Sequence, residues 1–115
     1  MSRELQPGDF LVFQLEAGFA LIRLLAADDD AWHVAAYSDL FPDVETAEAA
    51  AATPASLVMS HAHIALTDRA FKSTQVARIA NILLTEAEKQ PLNAWRDNPG
   101  REISDRSVRL MLGLR

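Results

Sequence analysis

The feature that most constrains the fold is the punctuation of the first 37 residues. Three short apolar runs, Phe10 to Leu15, Phe19 to Leu25 and Trp32 to Tyr37, are separated by the turn formers Glu16-Ala17-Gly18 and Asp28-Asp29-Asp30 and preceded by Pro7-Gly8-Asp9. Runs this short, with aromatic and branched side chains and polar tips, read as strands rather than helices. Gly18 stands where a tight tip needs a residue with positive φ, so the first two runs form a hairpin and the three together a meander.

After this meander the signals become mixed. Ser38 to Pro42 reads as a loop. Val44 to Ala52 is rich in alanine and glutamate, with Asp43 placed to cap a helix and Pro54 to end it; a low-complexity linker is the rival reading of the alanine tract. Leu57 to Leu66 reads as a fourth strand. It sets Val58, Ala62, Ile64 and Leu66 on one face and His61 and His63 on the other. Gln75 to Leu83 fits helical spacing at Val76, Ile79, Ala80 and Leu83. Its β-branched content, and the capping box Thr85…Glu88 that follows, favour a fifth strand.

From Thr85 the chain turns helical. Pro91 predicts a short turn over Glu86 to Gln90, then a helix opening at Pro91 and running to about Arg96, stopped by Asn98-Pro99-Gly100. Ser104 is placed to cap a last helix, Asp105 to Leu112, with Val108, Met111 and Leu112 inward and Gly113 as its terminus. The expected fold is α+β. A bent antiparallel sheet of about five strands, an SH3-like partial barrel, is covered at one end by C-terminal helices. With 115 residues, half of them apolar, the chain has enough core for a single domain over 1–115, β-rich over 8–83 and helical over 85–113.

There is no cysteine, which excludes disulfides, thiolate metal sites and cysteine nucleophiles. No apolar stretch approaches the roughly 20 residues of a membrane span, and the N-terminus lacks the pattern of a signal peptide, so the expected location is the cytoplasm. Charge is distributed unevenly. Residues 1–60 carry two basic and ten acidic side chains, net −8; residues 61–115 carry nine basic and six acidic, net +3. The acidic turns, Asp28, Asp29, Asp30, Asp39 and Asp43, are therefore the candidate surface for a cationic protein partner.

Signals for chemistry are sparse. His61-x-His63 is the one arrangement with metal-ligand spacing, since alternate strand residues point the same way, and His33 on a neighbouring strand could complete a three-histidine site, with Asp68 as an oxygen substitute. This makes a metal-dependent enzyme or metal sensor built on His33, His61 and His63 one alternative. The more common reading of such histidines is as half-exposed strand residues or satisfied polar groups. Asp28-Asp29-Asp30 lacks the alternating ligands, turn glycine and distal glutamate of a calcium loop. No serine lies in a Gly-x-Ser-x-Gly turn, and no glycine-rich phosphate loop occurs. Arg106 and Arg109 would form a small cationic, anion-binding stripe, so a nucleic-acid-binding small barrel is the second alternative, opposed by a pI near 5.0.

The opening Pro7-Gly8-Asp9-Phe10-Leu11-Val12-Phe13, followed by Gly18-Phe19-Ala20-Leu21-Ile22-Arg23-Leu24-Leu25, resembles the first hairpin of small bacterial immunity proteins from polymorphic toxin systems. In these a Gly-Asp start leads into a two-strand unit ending near an arginine. The resemblance covers about a third of the chain and carries over no functional residues. It implies a non-catalytic inhibitor, without a cofactor, that occludes a cationic toxin through an electronegative surface. The reading is accordingly a protein-binding module, immunity-type or accessory, more an interaction protein than an enzyme. Self-association through an uncovered sheet edge is a further expectation.

Overall fold

The computed structural model describes residues 5–29 and 31–107. Five strands, β1 (Asp9–Leu15), β2 (Gly18–Ala27), β3 (Trp32–Phe41), β4 (Met59–Leu66) and β5 (Ala77–Asn81), form one antiparallel sheet in the order β4-β3-β2-β1-β5. The expected meander is present. β1 and β2 join through Glu16-Ala17, with Leu15 already paired to Gly18. Gly18 has φ 148°, and a Cβ there would stand 2.6 Å from the Phe41 carbonyl oxygen, so this position admits only glycine without a shift of β3.

Three helices complete the α+β fold: α1 (Val44–Ala51), α2 (Asp68–Ser73) and α3 (Glu86–Asp97), with a 3₁₀ turn over Pro54–Ser56. The sheet stays open, because β4 and β5 are its opposite edges and no pairing among the described residues joins them into a closed barrel. Helices lie against both faces. One face carries Leu11, Phe13, Ile22, Leu24, Val34, Ile64 and Leu66, packed on Ala70 and Phe71 of α2. The other carries Phe10, Val12, Leu21 and Tyr37 against Ala47 and Ala51 of α1, and Leu25 and Ala35 against Leu84 and Leu92 near and in α3. Burial on both faces explains why β1 and β2 are nearly continuous apolar runs instead of alternating ones.

One helix lies where no element was expected, and two expectations need correction. The segment after β4 forms α2, which sequence reading left unassigned. Thr67 caps it by accepting from the Ala70 amide, and Phe71, stacked on Trp32 at 4.2 Å between ring centroids, anchors it. The turn and separate helix expected around Pro91 are one continuous helix. Proline in a helix interior costs up to about 3 kcal/mol; the Thr85–Glu88 capping box, the buried Leu92 and an ion pair from Glu88 offset that cost. Finally, Ser104 is not followed by a helix at Asp105–Ser107. It forms a parallel bridge with Leu66, donating its amide to Ala65 and accepting from Thr67, so residues around it lie as a strap on the edge of β4. The remainder of that expected helix, with Val108, Arg109, Met111 and Leu112, lies outside the described residues.

Candidate functional site

Two polar clusters lie on the same sheet face, between the strands and α3. The first is built on Arg23, a lone charge in the apolar strand β2 and only 1% exposed. A guanidinium in such a place needs compensation for every polar hydrogen. Its NH1 donates to Glu88, its NH2 donates to the carbonyl oxygen of Ile82 at 2.5 Å, and its cationic plane lies 4.6 Å from the centre of the Phe10 ring. Glu88 serves twice: the second carboxylate oxygen accepts the Thr85 amide at 2.8 Å and closes the capping box of α3. Burial holds the Tyr37 phenol above its ordinary pKa, against the opposing charge and hydrogen bond of Arg23.

Around this pair opens a cavity of about 480 Å³, with Tyr37, Leu57, Met59 and Ile82 on its walls and Leu83 at its rim. Val58, Met59 and Leu83 are exposed, Leu83 to 87%. The cavity therefore has an apolar wall and rim with an ionic floor, in which the buried Nε of Arg23 has no hydrogen-bond partner. It presents surface suited to apolar side chains.

The second cluster is centred on His33 of β3, which is fully buried. Its Nε2 lies 3.0 Å from Asp28 and its Nδ1 lies 2.9 Å from Nε2 of His63 on β4. Asp28 as a carboxylate only accepts, so Nε2 of His33 donates to it, and a single proton is held between the two imidazoles. Trp95 of α3 packs edge-on to His33 at 4.8 Å, while Arg96 donates to Asp28 at 3.0 Å. Burial, then the charges of His33 and Arg96, push His63 down to about 4, so it is neutral at physiological pH. Burial of Asp28 acts upward, but hydrogen bonds and charge from Arg96 and His33 outweigh it and lower its pKa. The cluster ties the β2–β3 turn, β4 and the C-terminal end of α3 together.

His33 and His63 thus meet, but as a hydrogen-bonded pair with their facing nitrogens directed at each other. His61 lies apart from that contact, with Nδ1 3.2 Å from the Ser60 hydroxyl. Among the described residues no three histidine, aspartate or glutamate side chains are placed to hold a metal ion. Asp68 is engaged elsewhere, accepting from Trp32 at 3.0 Å and pairing with Lys72.

The candidate acidic surface is divided by the structure. Asp28 belongs to the histidine cluster, Asp29 is exposed, and Asp30 lies outside the described residues. Asp43 caps α1 through the Thr46 amide and hydroxyl, which hold its carboxyl below the usual range, and Asp39 accepts the Val58 amide at 2.9 Å. Arg106 is exposed and Arg109 lies outside the described residues. Arg23, Tyr37, Glu88 and Trp95 are site residues that sequence reasoning missed. The available signal was Arg23 itself, since an arginine in the middle of an apolar strand demands a carboxylate from elsewhere in the chain.

Comparison of the chain with protein-family models, with curated proteins and with solved structures finds no match. No described helix is long and apolar enough to cross a membrane.

Proposed function

We propose that this chain is a non-catalytic protein-binding module built on an SH3-like bent meander, working as an immunity-type inhibitor or accessory interaction protein. Its partner docks on the apolar surface around the Arg23–Glu88 pair. The observation that carries this reading is Leu83, 87% exposed at the rim of the 480 Å³ cavity, whose lining also includes the exposed Met59. Contiguous apolar side chains kept in water mark interaction surfaces, and burying one leucine contributes about 1.5–3 kcal/mol. The floor is fixed by the Arg23–Glu88 pair and the bond from Arg23 to the Ile82 carbonyl oxygen, which reduces the ordering required on binding. The acidic N-terminal half supports a cationic partner, with the exposed Asp29 and the turn acids Asp39 and Asp43 steering encounter.

The test is site-specific photo-crosslinking in cells from position 83, with position 16 as a surface control. A discrete adduct from position 83, identified by mass spectrometry and reproduced as a complex of the two purified proteins, is expected. Affinity of that complex should fall at least about tenfold in Leu83→Asp, the equivalent of losing one buried leucine contact. Equal labelling from both positions, or unchanged affinity in Leu83→Asp, would refute the docking site.

A further inference from the structure

We infer that the cavity beside His63 is a binding site for a small neutral aromatic molecule bearing one N–H or O–H donor, which it offers to Nδ1 of His63. The site is independent of the docking surface at Leu83, since the two cavities share no lining residue.

The buried hydrogen-bond chain behind His63 determines what its ring presents. Arg96 holds Asp28 at both oxygens, 3.0 and 3.2 Å, and Asp28 accepts the Nε2–H of His33 at 3.0 Å. With that carboxylate already balanced by Arg96, the fully buried His33 holds its neutral form, because a second cation would stand desolvated there. A neutral imidazole that donates through one nitrogen accepts through the other. Nδ1 of His33 therefore accepts, and Nε2 of His63, 2.9 Å away, carries the shared proton. His63 is itself neutral, with burial the first cause of a pKa pushed down to about 4. Its Nδ1 is thereby a bare acceptor.

That acceptor is unused. Among the described residues no group donates to Nδ1 of His63, and the atom is not sealed from solvent. The ring lines a cavity of about 320 Å³ together with His61, Ala65, Trp95, Glu102 and Ile103. An engineered apolar cavity of about 150 Å³ holds benzene, so one ring or two fused rings fit here. Ala65, Trp95 and Ile103 supply apolar walls for them. Charge around the site disfavours ions. Arg101 lies over Trp95, 5.5 Å from the ring centre, and Arg96 flanks the histidines, while Glu102 brings a carboxylate on the strap. A cation meets the two arginines and an anion meets Glu102, whereas a neutral donor meets neither penalty. The acceptor is also held in place, because His33 engages Nε2 and the Trp95 ring packs 5.6 Å from that of His63. A preorganised polar group in a largely apolar cavity is what orients a small ligand and gives it specificity.

The test is NMR of the full chain carrying nitrogen-15-labelled histidine, at neutral pH, titrated with indole and phenol and with their methylated counterparts 1-methylindole and anisole, which keep the ring and lack the donor. In the free protein His63 should show the Nε2–H tautomer, and indole and phenol should each shift its Nδ1 resonance. The methylated probes should bind at least about fivefold more weakly, the equivalent of one hydrogen bond. His63→Phe, which keeps a ring and removes the acceptor, should weaken indole by a similar factor, while His61→Ala and Leu83→Asp should bind it as wild type does. If His63→Phe does not fold, the comparison of donor and methylated probes on the unaltered chain decides alone. An Nδ1–H tautomer in the free protein, equal affinity for the donor and methylated probes, or no binding of indole and phenol at millimolar concentration would overturn the inference. Loss of indole binding in Leu83→Asp would place the probe in the Arg23–Glu88 cavity and overturn it as well.

Discussion

Removing Glu88 gives the most direct measure of how the sheet holds α3. Arg23 is 1% exposed and Glu88 21%, and they come from positions 65 residues apart. In Glu88→Ala the guanidinium keeps its bonds to the carbonyls of Ile82 and Leu83 and its position over Phe10, but NH1 loses its carboxylate. Breaking one side of a buried pair costs about 3–5 kcal/mol. The remaining partners and the partial exposure of Glu88 place this case at the lower end, about 3 kcal/mol. For a domain of this length each kcal/mol lowers Tm by about 4 °C, so the fall is roughly 12 °C. The double variant Arg23→Met with Glu88→Gln removes both charges and should lose less than Glu88→Ala alone, about 1–2 kcal/mol, because no buried charge is left unpaired. Urea unfolding followed by tryptophan fluorescence and circular dichroism measures all the variants and a double-mutant cycle. A loss below about 1 kcal/mol in Glu88→Ala would refute the reasoning, since that is the value of an exposed pair.

The histidine cluster makes stability depend on pH. His63 is held at about 4 in the fold against 6.5 when unfolded, so the unfolded chain binds more protons in this window and stability is complete above about 6.5 and lost as pH falls toward 4. The gap corresponds to about 3 kcal/mol, which half-exposure reduces to about 1–2; wild type should lose that much more than His63→Gln between these limits, and parallel pH profiles would refute it. Asp28→Asn should lower Tm whereas Asp29→Asn should not, because Asp28 is bonded to His33 and Arg96; equal melting of the two would show that the cluster is not structural. Purified protein is expected to melt identically with and without chelator, and one equivalent of zinc by elemental analysis would revive the three-histidine site. Deleting residues 104–115 removes the bridge to β4 and the Asp105 contacts with Thr67 and Arg69, so the truncated chain should melt lower; unchanged melting would make the strap dispensable.

Sequence by itself determined what short-range chemistry controls. The three-strand meander, the glycine at the first hairpin, the Asp43 cap of α1 and the Thr85–Glu88 capping box are all encoded within a few residues of where they act. His61 and His63 were correctly placed on one strand face for the same reason, since strand periodicity is local. The tertiary structure decided everything that depends on distant partners. Pro91 breaks a helix in isolation but not one whose Glu88 is paired to β2 and whose Leu92 is buried. Ser104 has the chemistry of a helix cap, yet the vacant edge of β4 offers its amide and carbonyl better partners. Short α2 has too few turns to stand alone and exists because Phe71 finds Trp32 and the sheet. Arg23 meets Glu88, and His33 meets His63 and Asp28, only after strands and α3 are stacked. Burial raises the cost of an unpaired charge from a small surface effect to several kcal/mol, and burial is a property of the assembled fold rather than of any stretch of chain.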